Sequence, residues 1–221
     1  RGLQSKDDLV TIVDHLQYEG LLYHHKHFAI AITAFARRGL WSRAVNLLSE
    51  MHLQNLVPNT RCGNAALGAC QQNQAWQQAL VLMQDMHERC CHTDLISHTT
   101  VAKACEIGSA WQLALTVLAR LPEAKLAPDT WSLCTAIAAS GRGQNWKLAL
   151  ALHSQRTVTP DVICHTALVT ALGRSYQWTQ AMAFLAELLS PSKLSSAAKL
   201  DAALFSSAMT ACSVAHQWAA A

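Results

Sequence analysis

Between Trp76 and Met86 the apolar residues Trp76, Ala79, Leu80, Met83 and Met86 stand at i, i+3, i+4, i+7 and i+10, with Gln77, Gln78, Gln84 and Asp85 between them. This is the spacing of one face of an α-helix, so the pattern predicts an amphipathic helix that opens at the tryptophan. The run recurs along the chain. Trp41, Ala44, Val45, Leu48 and Met51 repeat it, and its Trp-x-x-Ala core returns from Trp111 to Ala114, Trp146 to Ala149, Trp178 to Ala181 and Trp218 to Ala221. Successive tryptophans of this motif are 35, 35, 35, 32 and 40 residues apart. A second apolar stripe precedes each of them, as with Phe28, Ile32 and Phe35 before Trp41 and Ala66, Leu67 and Cys70 before Trp76. Each period therefore carries two helices, with turns expected at Gly39, near Asn73, at Gly108-Ser109 and at Gly141-Arg142-Gly143. A further helix is expected after Ser5, carrying Leu9, Val10, Ile12, Val13 and Leu16 and ending near Gly20.

Self-similarity at a period in this range marks a repeat protein, whose units cannot bury their apolar faces alone and stack to form one continuous core. The expected fold is all-α: a helical-hairpin repeat solenoid, a right-handed superhelix of about five to six two-helix repeats. The units are read as 1–24 (second helix of a partial leading repeat), 25–59, 60–94, 95–129, 130–161, 162–201 and a truncated 202–221. The fourth full unit is three residues short, and the fifth carries an insertion of five around Ser190-Pro191-Ser192-Lys193. Starting at Arg1 and stopping four residues into a helix, the chain is expected to be a fragment of a longer protein.

Composition narrows the function only a little. Hydrophobic residues make up 51% and charged residues 14%, against roughly 25% charged in ordinary soluble domains, as suits helices covered on two sides by neighbours. No apolar run approaches the roughly 18 residues of a membrane span. A net charge of +3 permits a nucleic-acid partner without the dense Lys/Arg blocks that would demand one. The eight cysteines show no Cys-x-x-Cys pair and no disulfide framework, and Cys70, Cys105 and Cys212 share a slot with Phe35 and Leu172, so they read as small core residues in a reducing, intracellular setting. His24, His25, His27 and Cys90-Cys91-His92 lack a second ligand pair, and no metal or other cofactor is expected. No nucleophile, base and orienting residue recur together, so no enzyme activity is expected.

The period, the two helices per unit, the Trp-x-x-Ala-Leu second helix and the closing Pro58-Asn59, Pro128-Asp129 and Pro160-Asp161 together resemble the pentatricopeptide repeat family from about Leu9 onwards. The tryptophan departs from that family, which mostly has a smaller aliphatic residue there. The resemblance implies sequence-specific binding of single-stranded RNA, one base per repeat, in organellar RNA processing, stability, editing or translation, in mitochondrion or chloroplast. It implies that bases are read by the residue twelve before each tryptophan together with the residue closing the unit. Here these are Ala29 with Asn59, Asn64 with Asp94, Thr99 with Asp129, Cys134 with Asp161, and Thr166 with Asp201; Ser206 begins a sixth pair. Family usage reads Asn with Asp as U and Thr with Asp as G, giving 5′-N-U-G-N-G-3′. Fifteen before each tryptophan, Arg61, Ile96, Trp131 and Ile163 are implied to stack on bases, with Lys26 and Ala203 in the same slot. Arg37, Arg142 and Arg174, four before theirs, are assigned to phosphates. The expected partner is single-stranded RNA, bound by a monomer that leaves protein partners open and engages no membrane. Asn or Asp at a helix entrance is also an ordinary cap, so those residues alone decide nothing. The competing reading is a peptide-binding scaffold of the tetratricopeptide type, whose period is 34.

Overall fold

The computed structural model describes residues 6–19, 25–54, 56, 58–88, 92–155, 158–189 and 202–214. They form α1 (Lys6–Tyr18), α2 (His25–Arg37), α3 (Trp41–Leu53), α4 (Thr60–Gln72), α5 (Trp76–Glu88), α6 (Leu95–Ile107), α7 (Trp111–Ala119), α8 (Thr130–Arg142), α9 (Trp146–Ser154), α10 (Val162–Arg174), α11 (Trp178–Leu188) and α12 (Ala202–Val214), with no strand among the described residues. The chain belongs to the all-α helical-hairpin solenoids. It divides into two compact units, Arg1–Gly108 and Ser109–Ala221. Ser190 to Lys193, Asp201 and Trp218 lie outside the described residues.

Each described hairpin turns in the same way. The residue two before the tryptophan takes a left-handed backbone at Gly39, Gln74, Ser109, Gln144 and Tyr176, with φ between 55° and 72°. At Gln74 its N–H returns to Gln71 while that of Ala75 reaches back to Cys70, which closes the helix with a Schellman-type pair of hydrogen bonds. The same reach of five residues recurs from Leu40 to Phe35, Asn145 to Ser140 and Gln177 to Leu172. Only Gly39 supplies the residue that this backbone favours.

The expected turn at Gly141-Arg142-Gly143 is corrected in its start: Gly141 and Arg142 are the last residues of α8, and Gly143 and Gln144 make the turn. The glycines here serve packing. A Cβ on Gly143 would come within 2.6 Å of the Trp111 ring, and one on Gly108 within 2.1 Å of Trp76. Each ring thus seats on a bare stretch of backbone, which is why the repeat tolerates so large a residue.

In the first unit α2 packs on α4 and α4 on α6, with α3 and α5 as the hairpin partners of α2 and α4. Phe28, Ile32, Phe35, Met51, Leu67 and Val101 are fully buried there. In the second unit α8 packs on α10 and α10 on α12, around Ile137, Leu168, Val169, Leu172 and Leu204. From the second full repeat onwards an alanine stands seven before the repeat tryptophan, and these alanines, Ala69, Ala104, Ala139, Ala171 and Ala211, are at most 2% exposed. These small residues let successive first helices approach backbone to backbone, which fixes the spacing of whatever those helices carry.

Candidate nucleic-acid interface

The residues that close the repeats are helix caps. Asn59 accepts from the Cys62 N–H at 2.9 Å, Asp94 from Ser97 at 2.8 Å, Asp129 from Ser132 at 2.8 Å and Asp161 from Cys164 at 2.9 Å. Ser97 and Ser132 answer by accepting from the backbone N–H of Asp94 and Asp129, completing capping boxes. Each closing side chain is thereby fixed at the start of a first helix.

In the first unit the cap also holds the residue expected to read a base. Asn64 on α4 donates its amide to Asp94 at 3.0 and 3.2 Å, and its carbonyl accepts from the Ser97 hydroxyl at 2.6 Å. The three side chains form one network in which the Asn64 amide has a single orientation. Burial pushes the Asp94 carboxyl up, but the bonds from Ser97 and Asn64 outweigh it and hold Asp94 below the usual carboxylate range. Asp94 therefore remains an acceptor at neutral pH. The second Asn64 amide hydrogen and the remaining Asp94 lone pairs leave a donor beside an acceptor.

The other expected readers sit in different settings. Thr99 is buried and donates to the Leu95 and Ile96 carbonyls of its own helix, and Thr166 donates to Val162, so each hydroxyl has only lone pairs to offer. Asp129 is exposed at its cap; Asp201, the partner of Thr166, falls outside the described residues. Ser206 is exposed on α12. Cys134 lies 3.7 Å from an Asp161 oxygen, but its sulfur is bonded to Cys164. That disulfide corrects the reading of the cysteines as unlinked; Cys70 and Cys105 are, as expected, buried and outside disulfides, their thiols pushed up to about 11 by burial.

The first full repeat carries a cleft. Lys26, Ala29 and Arg37 from α2 line a cavity of 590 Å³ with Asn59 and Arg61 at the start of α4, so the expected reader, closing residue, stacker and phosphate ligand meet in one place. A second cavity of 450 Å³ in the other unit is lined by Arg174, with Thr170 and Gly173 of α10 and Ser207, Thr210 and Ala211 of α12. Arg142 ends α8 half-buried. The slot fifteen before each tryptophan holds exposed side chains: Arg61 is open, and Ile96, Trp131 and Ile163 are 61%, 49% and 56% accessible. Each stands three residues before its reader, hence on the same helix face. Large apolar groups left in water at a fixed register are a standing cost that a base stacked on them would relieve.

Ser97 and Cys164 were not found from sequence. The signal was the Asp-x-x-Ser or Asp-x-x-Cys spacing, legible as a cap but silent about the neighbouring helix that the same side chain touches.

A family model described as pentatricopeptide repeat-containing protein matches residues 5–121, more than half of the chain. The chain belongs to the pentatricopeptide repeat family. Among curated proteins none matches it in sequence. In fold it is similar to the pentatricopeptide repeat domain of Arabidopsis thaliana protein-only RNase P 1, solved in complex with tRNA, with a TM-score of 0.60 at 15% identity over 75% of this chain and 92% of that one. It is similar also to the pentatricopeptide repeat protein PPR10, solved in complex with an 18-nt psaJ RNA element, with a TM-score of 0.65 at 19% identity over 96% of this chain. This pentatricopeptide repeat chain spans 37% of the PPR10 chain.

Proposed function

We propose that the chain binds single-stranded RNA and selects its sequence one base per repeat, in the processing, stability, editing or translation of organellar transcripts. The observation that carries this reading is the Asn64, Asp94 and Ser97 network. A donor and an acceptor held side by side match the edge of uracil, whose N3–H lies between two carbonyls, and any base presenting the reverse pattern leaves a buried polar group unpaired. A threonine that has spent its hydrogen on its own helix can only accept, which suits the N–H groups of guanine. Two pentatricopeptide repeat structures of the same fold that hold RNA support the partner class.

Phosphate contacts from Arg37, Arg142 and Arg174 make binding depend on salt. On titrating an RNA containing 5′-N-U-G-N-G-3′, log affinity should fall with log salt at about 0.7 per phosphate neutralised, and replacing all three arginines by alanine should reduce the slope by about 2. An affinity indifferent to salt, or a slope untouched by the triple substitution, contradicts these contacts.

A further inference from the structure

We propose that base reading in the fourth repeat is under redox control, through a disulfide between Cys134 and Cys164 that withdraws the reading thiol. This rests on the assignment of Cys134 to base reading.

The two cysteines occupy the same pair of places as Asn64 and Ser97. Cys134 stands twelve before Trp146 as Asn64 stands twelve before Trp76, and Cys164 stands three after Asp161 as Ser97 stands three after Asp94. In the earlier pair the two side chains are joined by the Ser97 to Asn64 hydrogen bond of 2.6 Å. Close packing of α8 on α10 brings the later pair together in the same way, with a Cα separation of 4.7 Å, inside the range that a disulfide spans. Where the fold elsewhere sets a polar contact, here it sets two sulfurs at bonding distance.

The consequence falls on the base. As a thiol Cys134 has a hydrogen to offer Asp161, whose carboxylate lies 3.7 Å away, or a base edge in the same position. As a disulfide it has none, and Asp161 reads alone. The sulfurs and Asp161 are also near enough to form three ligands of a metal, but bonded to each other the sulfurs leave only a carboxylate.

The chemistry balances with a glutathione-type disulfide as oxidant. The Cys134 thiolate attacks the glutathione disulfide and expels one glutathione thiolate; the Cys164 thiolate then attacks the mixed disulfide and expels the second. The two cysteines lose two electrons, the glutathione disulfide gains them, and the two thiol protons end on two reduced glutathiones. A dithiol reductant reverses the step. Cys134 keeps 7% exposure while Cys164 has none, so Cys134 is the sulfur that the oxidant meets first. Cys62, Cys70 and Cys105 are buried and stand outside any disulfide.

The test equilibrates the full chain in oxidised glutathione or in dithiothreitol, maps its peptides by mass spectrometry, and measures binding to four RNAs that differ only at the fourth base of 5′-N-U-G-N-G-3′. A peptide linking Cys134 to Cys164 should appear only after oxidation, and the spread of affinity across the four RNAs should change about tenfold, the equivalent of one hydrogen bond. Cys164→Ser, which places at this position the hydroxyl found at Ser97 and Ser132, should show the reduced parent's preference in both buffers. The absence of the linked peptide after oxidation, or a linked peptide with an unchanged spread, overturns the proposal. If the peptide forms but RNA is bound in neither buffer, the RNA reading falls and takes the redox control with it.

Discussion

Replacing Gly141 by alanine is expected to destabilise the protein by about 2 kcal/mol, whereas the same change at Gly68 should stabilise it by up to about 1 kcal/mol. Both glycines lie inside first helices, Gly141 in α8 and Gly68 in α4. Helix propensity favours alanine at either place by about 1 kcal/mol, so packing decides the sign. A Cβ on Gly141 would stand 2.5 Å from the Ala171 Cβ and 2.7 Å from its Cα. Backbone cannot swing aside, so α8 and α10 must part along the central joint of their unit. At Gly68 nothing lies within 4 Å of the added methyl group. Thermal denaturation should show the Gly141 variant melting roughly 4 to 8 °C below the parent, at 2 to 4 °C per kcal/mol, and the Gly68 variant slightly above it. Equal shifts of one sign would refute the view that bare backbone at Gly141 sets the helix spacing.

Replacing Asp94 by alanine should remove two things at once: the cap on α6 and the acceptor of the Asn64 amide. Loss of a cap costs about 1 kcal/mol, and a polar group left unpaired adds about 1 kcal/mol or more, for a total of about 2 kcal/mol. The effect should also depend on pH. Because the folded Asp94 carboxyl titrates below the ordinary value of about 3.9, its contribution is fully present above that value and is lost as the pH falls through the folded one. Stability curves of parent and variant should therefore run parallel from neutrality to about pH 5 and converge below about pH 4. Curves that stay parallel in acid would show that the network does not depend on the Asp94 charge.

Much of the fold was legible from spacing alone. The tryptophans mark where α3, α5, α7, α9 and α11 begin, and for two of them, Trp76 and Trp111, the ring lies against the bare backbone of a glycine in the next repeat. The turns were read less well. Glycine is no guide to the left-handed residue, since Gln74, Ser109, Gln144 and Tyr176 adopt that backbone, while Gly108, Gly141 and Gly143 are small for the sake of a neighbour. Periodicity reports which face of a helix is buried, not what lies against it. The same limit explains the candidate site. Asn64 and Asp94 could be named from the repeat pattern, but that Ser97 holds the Asn64 amide, and that Cys134 meets Cys164, depends on which slots of successive helices face each other. A contact across 33 residues in one place and 30 in another, the difference coming from the shortened fourth repeat, has no period that a single sequence displays.

The central claim is that the pair of residues at each repeat chooses the base. It is tested most directly by Asn64→Thr, measured by the affinities of parent and variant for four RNAs that differ only at the second base of 5′-N-U-G-N-G-3′. The parent should prefer U at that base by roughly tenfold, at ~1 to 3 kcal/mol for a good base-edge contact. In the variant the hydroxyl, bonded to its own helix as in Thr99 and Thr166, should move the preference to G and leave the other positions unchanged. A parent that shows no preference at that base, or a variant that keeps the preference for U, would contradict the account and make a peptide-binding scaffold the better reading of this surface.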